Sequence, residues 1–469
     1  MENRQTLQPV ALSLAGNLNA GATMYPMACQ EYDRVKNAGR GYMYISHRER
    51  GIGLMDWHGR LILDLMWDRI SPYFDDRVIV AAKGKTLVLF DFEGNPLVGQ
   101  PLEKLLDGKA GAQVRDKNAE IIRVEAIGDF CERIALCLKQ GKRGYLRSDG
   151  RYIMDAPHAL SGDFHCGQAL YEKKNGFLKP KTFGYFNRQG VSVIPASYRD
   201  AANFSEGYAA VNDGNGWVYI DDSGKLLEMY AMVEGKKVPM PTVNKAEAFK
   251  NGYARVMKMG RSTVLPGGDG TVIIREDGEG GWGLINKNGL ITVPARYNWI
   301  SDANEQGICQ FGVSGSENVG LISVDGTVLL RPVFSQIMQT RKGMFALQAE
   351  GGWWVADRNG RLIGKRAWDQ IGRLPSDGVC VREGDRWGIM AGSGDMLTPL
   401  CSEMDFCLHR GVALIKRGGE YLLCGKEMQE LNPIRFEEAG NLLAGLAMVK
   451  WQGNTYLLDY GFEPEKEHI

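Results

Sequence analysis

The sequence predicts an all-β protein assembled from repeated units, and three observations lead to that prediction. Glycines that fit a turn recur at intervals of about 34 residues along most of the chain. Short apolar runs with period-two alternation flank these turns, as in half-buried strands, and no run keeps the spacing of an amphipathic helix. The chain has 60 glycines among 469 residues, which suits turn-dense β structure because its turns use glycine at positive φ.

The stretch from Gly281 to Phe311 contains one whole unit. It opens with Trp-Gly, turns between Asn286 and Gly289, and continues as an apolar run that ends at a proline. A Tyr-x-x-Ile segment, a polar link and a last apolar run follow. We therefore predict four short strands joined by three turns. One such unit cannot bury its own apolar face, so neighbouring units must stack on one another.

Other copies are found by aligning the glycine of the first turn, which lies seven residues after the tryptophan, as Gly289 does after Trp282. Two intervals exceed the period and indicate insertions at about residues 99–124 and 229–280. We expect a short helix at Pro101 to Leu106 in the first insertion and a projecting hairpin around Pro-Gly-Gly-Asp-Gly in the second. The aligned positions are Gly59, Gly94, Gly150, Gly190, Gly224, Gly289, Gly326, Gly360, Gly394 and, in a degenerate copy, Met428.

Four segments carry a resemblance to a known family: WGLINKNGLITVPARY, VGLISVDGTVLLRPVF, FGYFNRQGVSVIPASY and WGIMAGSGDMLTP. They resemble the tryptophan-glycine, or WG, repeat family, which is known largely from bacteria. The resemblance covers roughly residues 41–461 and implies a β-propeller fold. Some copies depart from the pattern, with Ile52, Arg143 and Val319 in place of tryptophan. The family's members mostly have no assigned role, and a fold does not fix an activity.

The two chain ends contain complementary half-repeats. Residues 32–46 match the second half of a unit, and residues 453–461 match the first half. A propeller commonly completes one blade from both ends of its chain, because that leaves no open edge. We therefore predict about eleven repeats closed by N- and C-terminal half-repeats, with two smaller propellers or a curved open array as the alternatives. The predicted division is a leader at 1–28, the array at 29–461 and a tail at 462–469.

Composition argues against several classes of partner. Lys plus Arg equals Asp plus Glu at 56 each, so the net charge gives no reason to expect nucleic acid as a partner. No apolar run is long enough to span a bilayer, so we expect no membrane partner. Nine cysteines without tight spacing are typical of reduced thiols. We expect a soluble protein of the cytoplasm.

The search for chemistry gives no catalytic, metal or cofactor site. Among the histidines, only His158 and His165 lie close together, beside Cys166, and a zinc site would need a fourth ligand. The sequence contains no phosphate-binding loop and no nucleophile elbow. Carboxylates recur in register at the first turn, where Asp and Asn commonly hydrogen-bond the turn backbone. We therefore expect no catalytic residues, no metal and no cofactor.

Basic residues in the second insertion are the predicted binding residues: Lys236, Lys237, Lys258 and Arg261. Acidic residues interleave with them, a mixture that suits a protein partner better than a phosphate backbone. The function predicted is a non-enzymatic scaffold that displays its insertion loops to a protein partner. One alternative is a ligand-binding or hydrolytic enzyme with a site at the propeller channel. Another is an immunity or accessory protein of a bacterial conflict or secretion system.

Overall fold

The computed structural model consists almost wholly of antiparallel sheets. It describes residues 7–15, 21–176, 179–233, 235–259, 261–266, 272–277, 280–339, 343–372, 379–398, 400, 408–443 and 445–463. In that part of the chain, eleven sheets have three to five strands each, and we number them as blades 1 to 11. The predicted all-β propeller of about eleven repeats is confirmed.

The chain divides into two compact units, and unit 1 comprises Met1–Gln113 and Met338–Ile469. The strands of blade 1 are Arg34–Gly39, Tyr42–His47, Gly51–Asp56 and Leu61–Trp67, and those of blade 2 are Arg69–Tyr73, Val78–Lys83, Thr86–Phe90, Gly111–Arg115 and Ile121–Val124. Blade 8 has Gln336–Gln339, Phe345–Ala349, Gly352–Ala356 and Leu362–Trp368, blade 9 has Gln370–Ile371, Val379–Glu383 and Arg386–Met390, and blade 10 has Leu408–His409, Val412–Arg417 and Glu420–Gly425. Blade 11 has Glu438–Leu443, Leu446–Trp451, Asn454–Asp459, Ala22–Pro26 and Val10–Leu12.

Unit 2 comprises Val114–Ile337, so that its boundaries fall inside Gly111–Arg115 and Gln336–Gln339, and the strand Ile121–Val124 of blade 2 belongs to unit 2. The strands of blade 3 are Ala126–Cys131, Ile134–Lys139, Lys142–Arg147 and Tyr152–Asp155, and those of blade 4 are Ser161–His165, Gln168–Lys173, Thr182–Asn187 and Ser192–Tyr198. Blade 5 has Asp200–Ala201, Tyr208–Asn212 and Trp217–Asp221, blade 6 has Lys245–Ala246, Tyr253–Lys258, Gly281–Asn286 and Ile291–Tyr297, and blade 7 has Trp299–Ile300, Ile308–Gly312, Val319–Ser323 and Val328–Phe334.

Both predicted insertions contain secondary structure of their own. A one-turn helix, Leu102–Leu105, follows Pro101 in the first insertion, which confirms the predicted helix. In the second, Arg261–Pro266 pairs with Val272–Asp277 as the predicted hairpin. A further hairpin, Tyr230–Val233 with Lys236–Pro239, was not predicted, and we call it the insertion hairpin. Among the described residues there is no helix with the length and hydropathy of a membrane span.

The two ends of the chain complete blade 11 together, as predicted, but the N-terminal strand is a different one. Ala22–Pro26 pairs antiparallel with Asn454–Asp459. The predicted segment, residues 32–46, instead forms the first two strands of blade 1. The prediction of that segment was wrong because Ala22–Pro26 lies in the predicted leader and carries no turn glycine to align. Its buried Ala22 and Met24 reveal its inward face only in the folded sheet.

The glycine that follows the tryptophan position contacts a bulge in the outer strand of its blade. In blade 6, Trp282 pairs with Tyr297 and Leu284 pairs with Val293, so three outer-strand residues lie opposite Gly283 alone. A Cβ atom at Gly283 would lie 2.3 Å from the Val293 carbonyl oxygen. The equivalent glycines of blades 1, 4 and 7 meet outer-strand carbonyl oxygens at 2.9, 2.5 and 2.6 Å. This glycine is therefore required by the close approach of backbone.

Copies that lack this glycine have a longer outer segment opposite it. In blade 8, Trp354 lies opposite four residues, one of them Gly364 with φ +82°. In blade 5, Trp217 pairs with Val243 and Ile220 with Leu226, so the whole insertion hairpin lies opposite Val218. The longer excursion leaves room for the buried Val218 side chain. The length of the outer segment thus decides between glycine and a larger residue.

Gly283→Ala tests this constraint. The added methyl group forces the Val293 carbonyl to move, and we expect the free energy of unfolding to fall by about 1–3 kcal/mol. Denaturant titration of the purified protein measures it. Gly440→Ala is the matched control, because a Cβ atom there meets no atom within 4 Å. Equal stability of the two variants would contradict the role assigned to the bulge.

Buried tyrosines join consecutive blades in unit 2. The hydroxyls of Tyr145, Tyr185 and Tyr219 donate to carbonyl oxygens in the first strand of the next blade or just beyond it, at 2.6, 2.6 and 2.7 Å. Each ring also contacts a buried phenylalanine two residues beyond its acceptor, with centroids 4.8–4.9 Å apart. The tryptophans at the repeat position, Trp217, Trp282, Trp353 and Trp387, are only half-buried and pack against the rims of the cores.

Tyr185→Phe tests the tyrosine contact between blades 4 and 5. The ring stays, but the Ala202 carbonyl loses its donor, so we expect a loss of about 1 kcal/mol in the free energy of unfolding. Tyr208→Phe is the control, because its half-buried hydroxyl makes no hydrogen bond among the described residues. Chemical denaturation of both variants gives the comparison, and a loss no greater at Tyr185 than at Tyr208 would refute the assignment.

Candidate functional site

The insertion hairpin is the candidate functional site, because it projects from a well-packed base. It interrupts the outer strand of blade 5 between Leu226 and Val243, which both pair with the neighbouring inner strand. At its base, the Met240 amide donates to the Met229 carbonyl at 2.8 Å, and Met229 is buried in the unit 2 core. The Tyr230 amide donates to the turn glycine of blade 6. The core therefore fixes where the hairpin leaves the blade.

Exposed apolar side chains distinguish this hairpin. Met232, Val233 and Val238 are 51%, 53% and 44% exposed. They lie within the eight residues of two short strands, whereas the other exposed aliphatic residues among those described are spread over several blades. Apolar groups clustered on a surface commonly mark a binding site. Sequence reasoning missed these residues because it searched the insertion for charge and did not test it for alternation.

The strand pairing divides the hairpin into two faces. Met232 pairs with Lys237 and Tyr230 with Pro239, and these four form face B. The other two pairs, Ala231 with Val238 and Val233 with Lys236, form face A. Directly paired residues share a face of an antiparallel sheet. Each face therefore combines exposed apolar area with one lysine.

The predicted lysines differ in their surroundings. On face B, the Lys237 ammonium lies 4.0 Å from the centroid of the Tyr230 ring, a cation–π contact. Lys236 is exposed on face A, and its ammonium makes no ion pair or hydrogen bond among the described residues. The Lys258 ammonium donates to the Thr242 carbonyl at 2.9 Å. The side chain of Arg261 lies outside the described residues. The choice of these four as binding residues stays a prediction.

Two other bases of the second insertion, Arg255 and Lys250, are already paired within the protein. The Arg255 guanidinium lies 2.7 Å from the Asp302 carboxylate and 5.7 Å from the centroid of the Trp282 ring. Lys250 approaches the same carboxylate at 3.8 Å. One carboxylate thus offsets part of both charges. These bases do not form a continuous row that could follow a phosphate backbone.

The histidine cluster noted in the sequence has a structural explanation. His158 stacks on Tyr171 with centroids 3.8 Å apart, and burial lowers the pKa of its imidazole. His165 Nδ1 lies 3.8 Å from the sulfur of Cys131, and Cys166 is exposed in the following turn. Within the described part of the chain, no group of three or more His, Cys, Asp or Glu side chains could hold a metal ion.

The recurring carboxylates act in their own turns, as predicted. Asp221 accepts hydrogen bonds from the amides of Ser223 and Lys225, and Asp357 does the same for Asn359 and Arg361. The following glycines adopt φ near +80°, and Met428 takes the same left-handed conformation at φ +61°. Hydrogen bonds from Ser223 and Lys225 lower the pKa of Asp221, and those from Thr327 lower the pKa of Asp325.

This arrangement predicts an acid-labile contribution to stability. The folded-state pKa of both aspartates lies below the ordinary 3.8, so their contribution is complete above that pH and is lost as pH falls through the lowered values. We expect the free energy of unfolding to decline below about pH 4. Urea titrations between pH 3 and 6 measure the slope. Asp221→Asn combined with Asp325→Asn should flatten it, and an unchanged slope would contradict the assignment.

Comparison with known proteins identifies two segments of the chain as copies of a known repeat. Residues 183–217 and 282–312 match the family model described as WG containing repeat. No curated protein sequence matches the chain. Similar solved structures include a eukaryotic initiation factor, with 5% identity over 77% of this chain and 96% of that chain at a TM-score of 0.39. The WD40 domain of SCAP from fission yeast has 10% identity over 94% and 98% at a TM-score of 0.27.

A third similar structure is Hsv2 of Kluyveromyces lactis, with 9% identity over 71% of this chain and 97% of that chain at a TM-score of 0.27. At such identities and TM-scores, these likenesses carry no inference about binding or activity. Both segments that match the family model contain a turn glycine aligned in the sequence, Gly190 and Gly289. The repeat register read from the sequence therefore agrees with the family model at these two copies.

Proposed function

We propose, from the premise that this chain is a WG-repeat β-propeller protein, that it is a non-enzymatic scaffold that binds another protein through its insertion hairpin. The observation that supports this most directly is the exposed apolar cluster of Met232, Val233 and Val238. Val233 and Val238 lie on face A and Met232 on face B, and a partner that covers the apolar side chains of a face gains the free energy of removing them from water. The rest of the unit holds this element in place.

The packing of the hairpin base also supports the proposal. Met229 is buried and Met240 packs against the same core cluster, so the two strands start from fixed positions. The base pairs further with the turn of blade 6 through Tyr230 and Leu290. A partner that binds a preorganised hairpin loses less conformational entropy than one that must order a loop. Such a hairpin suits recognition of a protein surface.

Affinity capture with two matched triple variants tests the proposal. Met232→Ser, Val233→Ser and Val238→Ser together remove the apolar cluster. The control changes Val191, Val328 and Val333 to serine, three valines of the same unit that are 57%, 44% and 59% exposed. We expect proteins crosslinked to the native chain to be lost with the hairpin variant and kept with the control. If both variants keep the same crosslinked proteins, the hairpin is not the binding element.

A deletion variant removes the hairpin and keeps the hydrogen bond between Met229 and Met240 at its base. Asn-Gly in place of residues 230–239 would connect Met229 to Met240, whose backbone hydrogen bond suits a two-residue turn. We expect the free energy of unfolding to change by less than about 1 kcal/mol, because most of the hairpin is exposed. The crosslinked partner should disappear with this deletion as well. Its persistence would place the binding surface elsewhere.

The bacterial origin and the cytoplasmic location are also part of the proposal. The resemblance to WG repeats supports the first. The second is supported by the described cysteines, which form no disulfide with one another and are mostly buried. Reduced thiols are typical of the cytosol. The non-enzymatic role is likewise part of this proposal.

A further inference from the structure

We propose that face A of the insertion hairpin recognises an acidic and aliphatic segment of a protein partner, with Lys236 pairing with a carboxylate. This inference rests on the proposed function and specifies the chemistry of the partner. Face A contains Val233 and Val238, each about half exposed. It also contains the half-buried Ala231, which pairs with Val238. Lys236 stands directly opposite Val233. An aliphatic side chain on the valines would therefore place a neighbouring carboxylate near the Lys236 ammonium.

The two lysines of the hairpin are not equivalent for such a contact. The ammonium of Lys237 already lies over the Tyr230 ring on face B. Lys236 is exposed, and its ammonium makes no ion pair or hydrogen bond within the described part of the chain. A carboxylate that meets Lys236 therefore displaces no internal contact seen in the structure. Charge complementarity then favours an acidic segment on face A.

The backbone geometry favours contact through a face over addition of a strand to the edge. Met240 and Met229 form a hydrogen-bonded pair, and such pairs alternate along an antiparallel ladder with pairs that are not hydrogen-bonded. Lys237 and Pro239 belong to the second kind, so their backbone groups point outward. Proline has no N–H group, so the outer edge of this strand offers only the Lys237 amide as a donor. One donor is too few for an added strand. Side-chain contacts on face A must supply the binding.

The local charge favours an acidic protein over nucleic acid. Arg255 and Lys250 lie beside the Asp302 carboxylate, and the Lys258 ammonium donates to a backbone carbonyl. Binding to nucleic acid depends on several phosphate contacts made by a row of bases. A single exposed lysine beside two valines suits one carboxylate in an aliphatic setting. Displacement of a bound acidic peptide by an oligonucleotide would therefore contradict an acidic partner.

The test measures, by fluorescence polarisation, binding of the full-length chain to a labelled ten-residue peptide in which every second residue is in turn valine and glutamate, with serine between them, so that both side chains face the same side of an extended peptide. A second peptide replaces every glutamate with glutamine. We expect the glutamate peptide to bind at least about tenfold more tightly, and its affinity to fall as salt rises, since exposed ion pairs are screened. Equal affinity of the two peptides, or displacement of the glutamate peptide by oligo-dT, would overturn the assignment.

Variants separate this inference from the proposed function. Lys236→Glu should weaken binding of the glutamate peptide about tenfold, because like charges then face each other. Lys225→Glu, which makes the same change of charge at an exposed turn of the unit, should change it less than about twofold. Binding of both peptides that requires Val233 and Val238 but ignores Lys236 would refute the acidic partner and leave the scaffold standing. Binding that survives removal of the hairpin would refute both.

Discussion

The close approach of each outer strand to the glycine beside it is the constraint on which the repeat depends. Where three residues bulge opposite one, as at Gly283, any side chain would collide with a backbone carbonyl. The tryptophan next to it pairs with the residue that resumes the ladder, Tyr297 in blade 6. In each Trp-Gly pair of this kind, the glycine therefore lies opposite the bulge, and the tryptophan pairs with the residue that follows it. Tryptophan can be replaced, as by Ile52, because backbone pairing at that position does not depend on the side chain, whereas the glycine is required by the close approach of backbone atoms.

The same constraint explains where the chain tolerates an insertion. The bulge is already a departure from the ladder, so lengthening it leaves the flanking pairs intact. Blade 5 keeps both pairs, Trp217 with Val243 and Ile220 with Leu226, around sixteen inserted or bulged residues, 227–242. Relief of the close approach permits Val218, whose side chain then enters the core. Core packing and the display of a surface hairpin are therefore two consequences of one local change.

Sequence reasoning succeeded where one residue type has one physical role. Turn glycines at φ near +80° and the Asp or Asn before them are local requirements, so their register could be read directly. It failed where the partner is distant. Tyr185 looks like any strand residue until its hydroxyl is seen on the Ala202 carbonyl of the next blade. The closing strand Ala22–Pro26 has no such marker, because its role comes entirely from its pairing with the other end of the chain.

The candidate site lay beyond prediction for a related reason. Its lysines were visible in the sequence, but the exposure of Val233 and Val238 depends on the hairpin leaving the blade. In the outer strand of a regular blade, alternate apolar residues face the core, as Val293 does in blade 6. Beyond the bridge from Tyr230 to Leu290, the two strands of the hairpin pair only with each other among the described residues, so their valines have no core to cover. Their valines stay in water unless another molecule covers them. The exposure of apolar side chains, rather than charge, therefore identifies the site.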